Sequence, residues 1–456
     1  MYILFQLLLF ILCISMFIVP RSSKMGIMIF AGLCIYEYKL SNSFPLGATS
    51  IILPLCFLAS EYKLLIKKIK RASGHYILLY HVLLISTIYV VYTIFVSPHL
   101  HNSSSFFYII KNFVCRYLLF FIPIVCVSSR NDIKIVYKWT FIGIIVMSIF
   151  AFLNVVYQHS VYVDWLLSGQ KVSDYMEEAG GMFESKQRFR VQGTFHNPFD
   201  YGYSCIVCFL MFWYGYIKKY CTKTTFTIVA GCSFLGIITC NCRTVLFCAI
   251  LVVCTFIMFN LKKVFRFRSV VVVVGFVALL IGFVPPIHDS FRILLSALND
   301  NSEIRGSSIS FRELQFFTVL KYIEGSLLLG RGYNFFRIDL KGSEGISGRV
   351  TDDLGMMEGS YLNTLLDTGI IGTIFYFSII IALLIFSWNR RNADVVSASL
   401  MFSVTFLFLI FGILTGELRS AYLSFIVIGF AYKQLIQNGY IRKTAISNLR
   451  SYERVI

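Results

Sequence analysis

Charge is what this sequence has least of. Asp, Glu, Lys and Arg make up 14% of the 456 residues, against about 25% in soluble globular chains. Apolar residues supply 57% and the mean hydropathy is +0.74, so an ordinary soluble domain is excluded. The apolar blocks are solid, not alternating, which excludes a transmembrane barrel. The 13 cysteines all fall in apolar blocks or short turns, none in a long polar stretch, so an outer domain framed by disulfides is not expected. Cys205 and Cys208 form a C-x-x-C inside an apolar block and read as small buried residues. The apolar run 1–20 lacks a basic leading region and a small-residue cleavage site, and reads as a retained helix. There is no P-loop, no HExxH, no Cys/His metal spacing and no strand-flanked acidic pair, so neither a cofactor nor a metal is expected. Internal repeats are also absent.

What is present comes in blocks of roughly 15–22 residues, the length that crosses about 30 Å of hydrocarbon as a helix. The expected segments lie near 3–19, 26–39, 45–60, 76–96, 106–127, 138–157, 198–217, 225–241, 244–260, 269–287, 366–388, 396–414 and 419–433. The second and third are short, so the count is 12 or 13. The fold expected is an all-α polytopic membrane protein: N-terminal hairpins over 1–75, helices over 76–157, a first long loop at 158–197, helices over 198–287, a second long loop at 288–365, helices over 366–433 and a basic tail at 434–456.

Lys and Arg fix the sidedness. Lys63 to Arg71, Arg130 to Lys138, Lys218 and Lys219, Lys262 to Arg268, and Arg390 and Arg391 fall on every second turn, which assigns those turns to the cytoplasm. The N-terminal side stays open, because it depends on the parity of the count. Both long loops fall on the opposite side. Residues 158–200 and 288–360 hold 12 Lys plus Arg against 16 Asp plus Glu, a net of −4; with the chain at +18, the remainder carries +22. The basic excess is therefore a topology signal suited to anionic lipid, not a nucleic-acid footprint.

Ser310 and Glu313 have the spacing of a capping box. Phe311, Leu314, Phe317, Leu320 and Ile323 then share one helical face, predicting an amphipathic helix that lies on the outer leaflet or closes over a cavity.

Candidate charges are those at membrane edges. Arg116 lies within the fifth segment, with Lys111 before it; it reads as an anion contact or as one half of a structural pair. Arg243 sits in the tight turn Cys240-Asn241-Cys242-Arg243 and faces a lipid phosphate or a substrate pyrophosphate. Arg188 and Arg190 precede a Gly turn and a helix opened by Pro198. Two guanidiniums beside a helix N-terminus suit a phosphate, and suit equally an ion pair with Glu184 or a lipid head group. His196 reads as a loop hydrogen-bonding residue. Asp352, Asp353 and Glu358 are the outer carboxylates nearest a helix start. Glu358 is placed for general-base work on a hydroxyl, or as a solvated partner of the helix dipole.

Four stretches in order carry a resemblance: RVQGTFHNPFDYG at 190–202, TCNCRTVL at 239–246, SFRELQFFTVLKYIEGSLLLGRGYNFF at 310–336 and EGSYLNTLLDTGIIGTIFYF at 358–377. Together they resemble the O-antigen polymerase and O-antigen ligase family (Wzy/WaaL-type) over most of 75–435. The fold implied is similar to membrane-embedded GT-C-type glycosyltransferases. The resemblance implies a metal-independent transfer of a glycan from undecaprenyl pyrophosphate on the outer face of the bacterial cytoplasmic membrane. It implies a lipid-linked oligosaccharide and membrane lipids as partners, with a chain-length regulator and a flippase alongside. Arg190 and Arg243 match family arginines and Arg312 matches the one opening the loop helix. Ligases carry a histidine where this chain has Glu358-Gly359-Ser360-Tyr361-Leu362, which favours the polymerase branch. Arg331 and Gly342 fit an R-x10-G spacing described for polymerases, a spacing that a Gly-rich loop also produces by chance. The product expected is O-antigen, capsule or exopolysaccharide. The alternatives are an O-antigen ligase, a protein O-oligosaccharyltransferase, or a flippase; a transporter would show repeats and paired half-helices, and neither is visible.

Overall fold

Lipid offers no partner to a free N–H or C=O, so the apolar blocks close those bonds within themselves as helices. The computed structural model describes residues 2–35, 52–71, 77–97, 117–162, 190–195, 197–264, 309–333, 335, 359–415 and 421–453. Among them every regular element is helical: α1 (Tyr2–Ile18), α2 (Arg21–Cys34), α3 (Leu53–Arg71), α4 (Ile77–Val96), a tight turn (Leu119–Phe121) leading into α5 (Ile122–Cys126), α6 (Arg130–Tyr157), α7 (Pro198–Ile217), α8 (Lys223–Thr239), α9 (Arg243–Val264), α10 (Ile309–Tyr322), α11 (Ser360–Asn389), α12 (Val395–Leu414) and α13 (Ala421–Glu453). Among the described residues, four stretches are long and apolar enough to cross a membrane: Arg130–Tyr157, Arg243–Asn260, Ser360–Asn389 and Val395–Leu414. Gln6–Ile18, His81–Val96 and Lys223–Thr239 are shorter and also apolar. The chain is an all-α polytopic membrane protein, as its composition requires.

α7 and the first half of α13 form the centre. α7 is buried from Asp200 to Cys208 and again through most of Leu210 to Gly215. It is rich in tyrosine, and buried hydroxyls need partners. Tyr203 meets the Ser424 hydroxyl of α13, Tyr214 meets Ser397 of α12 at 3.1 Å, and Tyr137 of α6 donates to the Met211 carbonyl at 2.7 Å. Cys205 and Cys208 are free and fully buried among these rings, as their apolar setting predicted.

Polar contacts define two ends. At one end, Lys24 lies 2.6 Å from Glu61 and Arg21 lies 3.0 Å from it. Ser129 and Asp132 form a capping box on α6, and Lys218 bridges Asp394 at 2.7 Å. This end bears the short basic turns. At the other end, the Thr194 and Tyr162 hydroxyls donate to the Leu33 and Cys34 carbonyls, so α2 runs from the basic end to the loop end. The free thiols Cys13 of α1 and Cys56 of α3 lie side by side, and both helices continue toward the Arg21–Glu61 pair. α1 therefore runs parallel to α3, and Tyr2 sits at the loop end, the point that parity left open.

Several boundaries move. α2 starts at Arg21, not 26, because the Lys24–Glu61 pair extends it. α6 starts at Arg130, not 138, because its capping box does. α11 starts at Ser360, not 366, and is broken at Gly369. α13 runs on through 434–453, so most of the tail is helical. The tenth expected segment, 269–287, lies outside the described residues, as do most of both long loops. α10 exists, but two details of its expectation fail. It begins at Ile309, which puts Ser310 inside the first turn and not at the cap. Its buried side is Gln315, Val319 and Ile323, spaced four apart, because Val319 and Ile323 pack on Leu362 and Leu366 of α11. Phe317, expected on that face, is 59% exposed.

Candidate functional site

The four motif stretches meet as two pairs at the loop end. The first pair joins 190–202 to 239–246. The Val191 N–H donates to the Thr239 carbonyl at 3.1 Å. Gly193 turns the chain at φ +58°, and the Phe195 N–H closes the turn onto the Gln192 carbonyl at 3.0 Å. Asn154 of α6, with its amide oriented to use both ends, accepts from the Gly193 N–H at 3.2 Å and donates to the Phe150 carbonyl at 2.9 Å. α7 then starts as expected: Pro198 takes a first-turn position, and the Asn197 side chain caps the Phe199 N–H at 2.9 Å. On the facing stretch, Asn241 takes the left-handed conformation at φ +53°, one that Asn tolerates. That reversal lets α9 begin at once with Arg243.

Arg190 stands against this turn. Among the described residues its buried Nε has no hydrogen-bond partner, nor have the two amide atoms of the fully buried Gln192. Burial alone would raise the Cys242 thiol, but a bond to Cys240 and the charge of Arg190 bring it below its ordinary value. Arg190 precedes Val191, whose N–H holds the Thr239 carbonyl, and Arg243 follows four residues after Thr239, so both arginines belong to one junction. Arg188, Arg116 and Glu358 lie outside the described residues, as do Lys111, His196, Asp352 and Asp353.

The second pair joins 310–336 to 358–377. In an unbroken helix the Leu366 and Asp367 carbonyls would take the N–H groups of Ile370 and Ile371. α11 breaks at Gly369 (φ 63°, ψ −166°), and a strap, Leu327–Gly332, takes up all four groups. Arg331 N–H donates to Leu366 O at 2.8 Å and Gly332 N–H to Asp367 O at 2.9 Å. Ile370 N–H donates to Leu327 O at 3.0 Å and Ile371 N–H to Leu328 O at 3.3 Å. Tyr92 of α4 donates to the Thr368 carbonyl at 3.0 Å. Gly330 and Gly369 face each other so closely that a Cβ on Gly330 would lie 2.5 Å from Asp367 O, and one on Gly369 would lie 2.4 Å from Leu328 O. The Arg331 side chain donates to the Tyr322 and Glu324 carbonyls at 2.9 and 2.8 Å. It caps the end of α10, a structural task.

Arg312 lies on the first turn of α10. Ser360, which follows the position of Glu358 by two residues, is tied to α12 through Thr415 O at 3.2 Å and Gly412 O at 2.9 Å. The two pairs connect through the bundle: the Tyr203 ring of α7 packs edge-on against Phe411 of α12 at 5.1 Å. Three further polar groups stand at these junctions and were not singled out from the sequence: Gln192, Asp200 and Asp367. Asp200 is a buried carboxylate in the first turn of α7, and Asp367 accepts from the Phe335 N–H at 3.2 Å. An acid two residues after a helix-opening Pro is a readable signal; the burial of Gln192 has none.

Residues 228–377 match the family model described as O-antigen ligase. The match runs from α8 to beyond the break in α11, about a third of the chain, and contains three of the four stretches. Only 190–202 falls outside it. No curated protein matches the chain.

Proposed function

From a membrane protein whose residues 228–377 carry the domain of the O-antigen polymerase/ligase family, we infer a glycosyltransferase that joins undecaprenyl-pyrophosphate-linked repeat units into a surface polysaccharide. The observation that carries this reading is Arg190: a buried guanidinium nitrogen without a hydrogen-bond partner among the described residues, beside the turn from which Arg243 opens a helix. Guanidinium forks and a helix N-terminus together suit a pyrophosphate. An acceptor hydroxyl attacks the anomeric carbon, forming the new C–O bond as the bond to the lipid pyrophosphate breaks. The two arginines offset the charge left on that group. Glu358 takes the hydroxyl proton, with Arg312 acting from the loop helix, Arg188 adding charge beside Arg190, and Arg116 in the fifth segment. The basic end faces the bacterial cytoplasm and both junctions face outward. The polymerase is preferred to the ligase because no histidine stands in 358–362.

The test is transfer by purified protein in liposomes supplied with lipid-linked repeat units. Arg190→Ala is expected to lower turnover by about 10²–10³, with Arg190→Lys recovering part of it. Full activity of Arg190→Ala overturns the assignment. A ladder of polymer on the lipid carrier supports the polymerase; product formed only after lipid A core is added makes the chain a ligase. Activity should survive a chelator, and a loss that Mg²⁺ restores refutes metal independence.

A further inference from the structure

The strap has a property its hydrogen bonds do not explain. Leu327, Leu328 and Leu329 point outward, with exposures of 44%, 61% and 53%, although the run belongs to a long polar loop. Three consecutive exposed leucines are a liability in water. The backbone beneath them is tied down through its carbonyls and through the N–H groups that follow the leucines. The Leu327 and Leu328 carbonyls accept from Ile370 and Ile371, Tyr92 reaches the Leu328 and Leu329 carbonyls at 3.4 Å, and the N–H groups of Gly330, Arg331 and Gly332 are all taken. With those carbonyls bonded inward, the outward face of the run is its apolar side chains, the kind of surface that hydrocarbon covers.

We propose that Leu327–Leu329 are immersed in the loop-side leaflet of the bilayer, in contact with phospholipid acyl chains. Continuity identifies the occupant. The strap docks where two membrane-crossing surfaces meet. On α4 these are Val91 and Phe95, the latter 84% exposed; on α11 they are Ile370 and Ile374, the latter 61% exposed. The three leucines lie beside that apolar surface, joined to α11 through Ile370 and Ile371 and to α4 through Tyr92. The edge is marked too: Arg331, the next charge along the chain, turns its guanidinium back onto the Tyr322 and Glu324 carbonyls. The polar loop is thereby anchored in lipid at one point, independently of any reaction it serves.

The full chain in phosphatidylcholine–phosphatidylglycerol liposomes, containing a phosphatidylcholine with a diazirine on its acyl chain, tests this. Trypsin cuts after Lys321 and Arg331, so the strap is isolated in the peptide Tyr322–Arg331. Labelled α11 residues Ile370–Ile385 serve as the internal standard. Acyl adducts on Leu327–Leu329 at a yield within about threefold of that standard are expected. Substituting all three by Ser, or Leu328→Ser alone if the triple variant folds poorly, should cut the strap yield at least fivefold against the same standard. Labelled α11 with an unlabelled strap overturns the proposal, as does a strap yield that the serine variants leave unchanged.

Discussion

Gly330→Ala asks whether the strap is held by the shape of the joint or merely rests there. Two costs are worked from the structure. Gly330 is left-handed at φ +81°, and an L side chain there costs roughly 1–2 kcal/mol. The new Cβ would also stand 2.5 Å from Asp367 O and Gly369 N, inside any permitted contact, so strap and helix must part. Losing two of the four strap bonds, at about 1 kcal/mol each, brings the total to roughly 3–4 kcal/mol, or more than 100-fold in an equilibrium. Gly325 supplies the control. It shares φ +81° but has nothing within 4 Å, so Gly325→Ala carries only the conformational cost. Amide hydrogen exchange on peptides covering 331–332 and 370–371 reads the joint directly. Gly330→Ala should speed exchange at both by about 100-fold, and Gly325→Ala should leave both near wild type. Equal effects of the two variants, or acceleration on one side only, refute the view that the strap replaces the missing helical bonds. Gly369→Ala, in a backbone region that is essentially glycine-only, should do the same, and the double variant should cost less than the sum because both act on one joint.

Two further outcomes follow from the ends of the bundle. Asp394 accepts from Lys218, Ser397 and Asn438. Burial raises its carboxyl, but the hydrogen bonds and charge of Lys218, with the bonds from Ser397 and Asn438, hold it below the ordinary carboxylate range. A depressed folded value contributes stability that is full above the unfolded value of about 3.9 and is lost as pH falls through the folded one. Thermal stability in detergent should therefore be insensitive to this group from pH 5 to 8 and fall below pH 4; Asp394→Asn should lower the neutral plateau by about 2 kcal/mol and flatten the acid decline, and an unchanged acid limb refutes the linkage. Asn197→Ala should cost about 1 kcal/mol through loss of the α7 cap while Asn197→Asp keeps most of it, measured by the same melts; equal melting of Ala and Asp variants removes the cap from the account.

The helices were legible because hydrophobic block length and Lys/Arg placement are local properties. The start of α7 was legible to the residue, since Asn197 and Pro198 carry their own capping chemistry. α10 shows where local reading stops. Its existence followed from periodicity, but the choice between Phe317 and Val319 as the buried side is made by Leu362 and Leu366, about forty residues away. The strap was unreadable for the same reason: S-L-L-L-G-R-G has no period, and its partners lie across a helix break. Arg243 in its tight turn needed no partner to be noticed. Gln192 did need one, because an amide in a loop reads as solvated until packing buries it.

The pairing of the stretches also bears on how the proposed site keeps its charges usable. A cation meant for a leaving pyrophosphate and a carboxylate meant for a hydroxyl proton spoil one another if they form a salt bridge at rest, since each lowers the other's availability. In the first junction, the buried Nε of Arg190 has no hydrogen-bond partner among the described residues. The candidate base belongs to the second junction, where Ser360 is bound to Gly412 and Thr415 at the end of α12, so the chain arriving from Glu358 is anchored on a different helix from the arginines. α7 and α12, in contact through Tyr203 and Phe411, set the spacing between the junctions. A buried aromatic contact between two packed helices holds such a spacing. On this reading, cavity-forming changes at Phe411 should impair transfer by letting the junctions drift, with Arg190 and Glu358 themselves untouched.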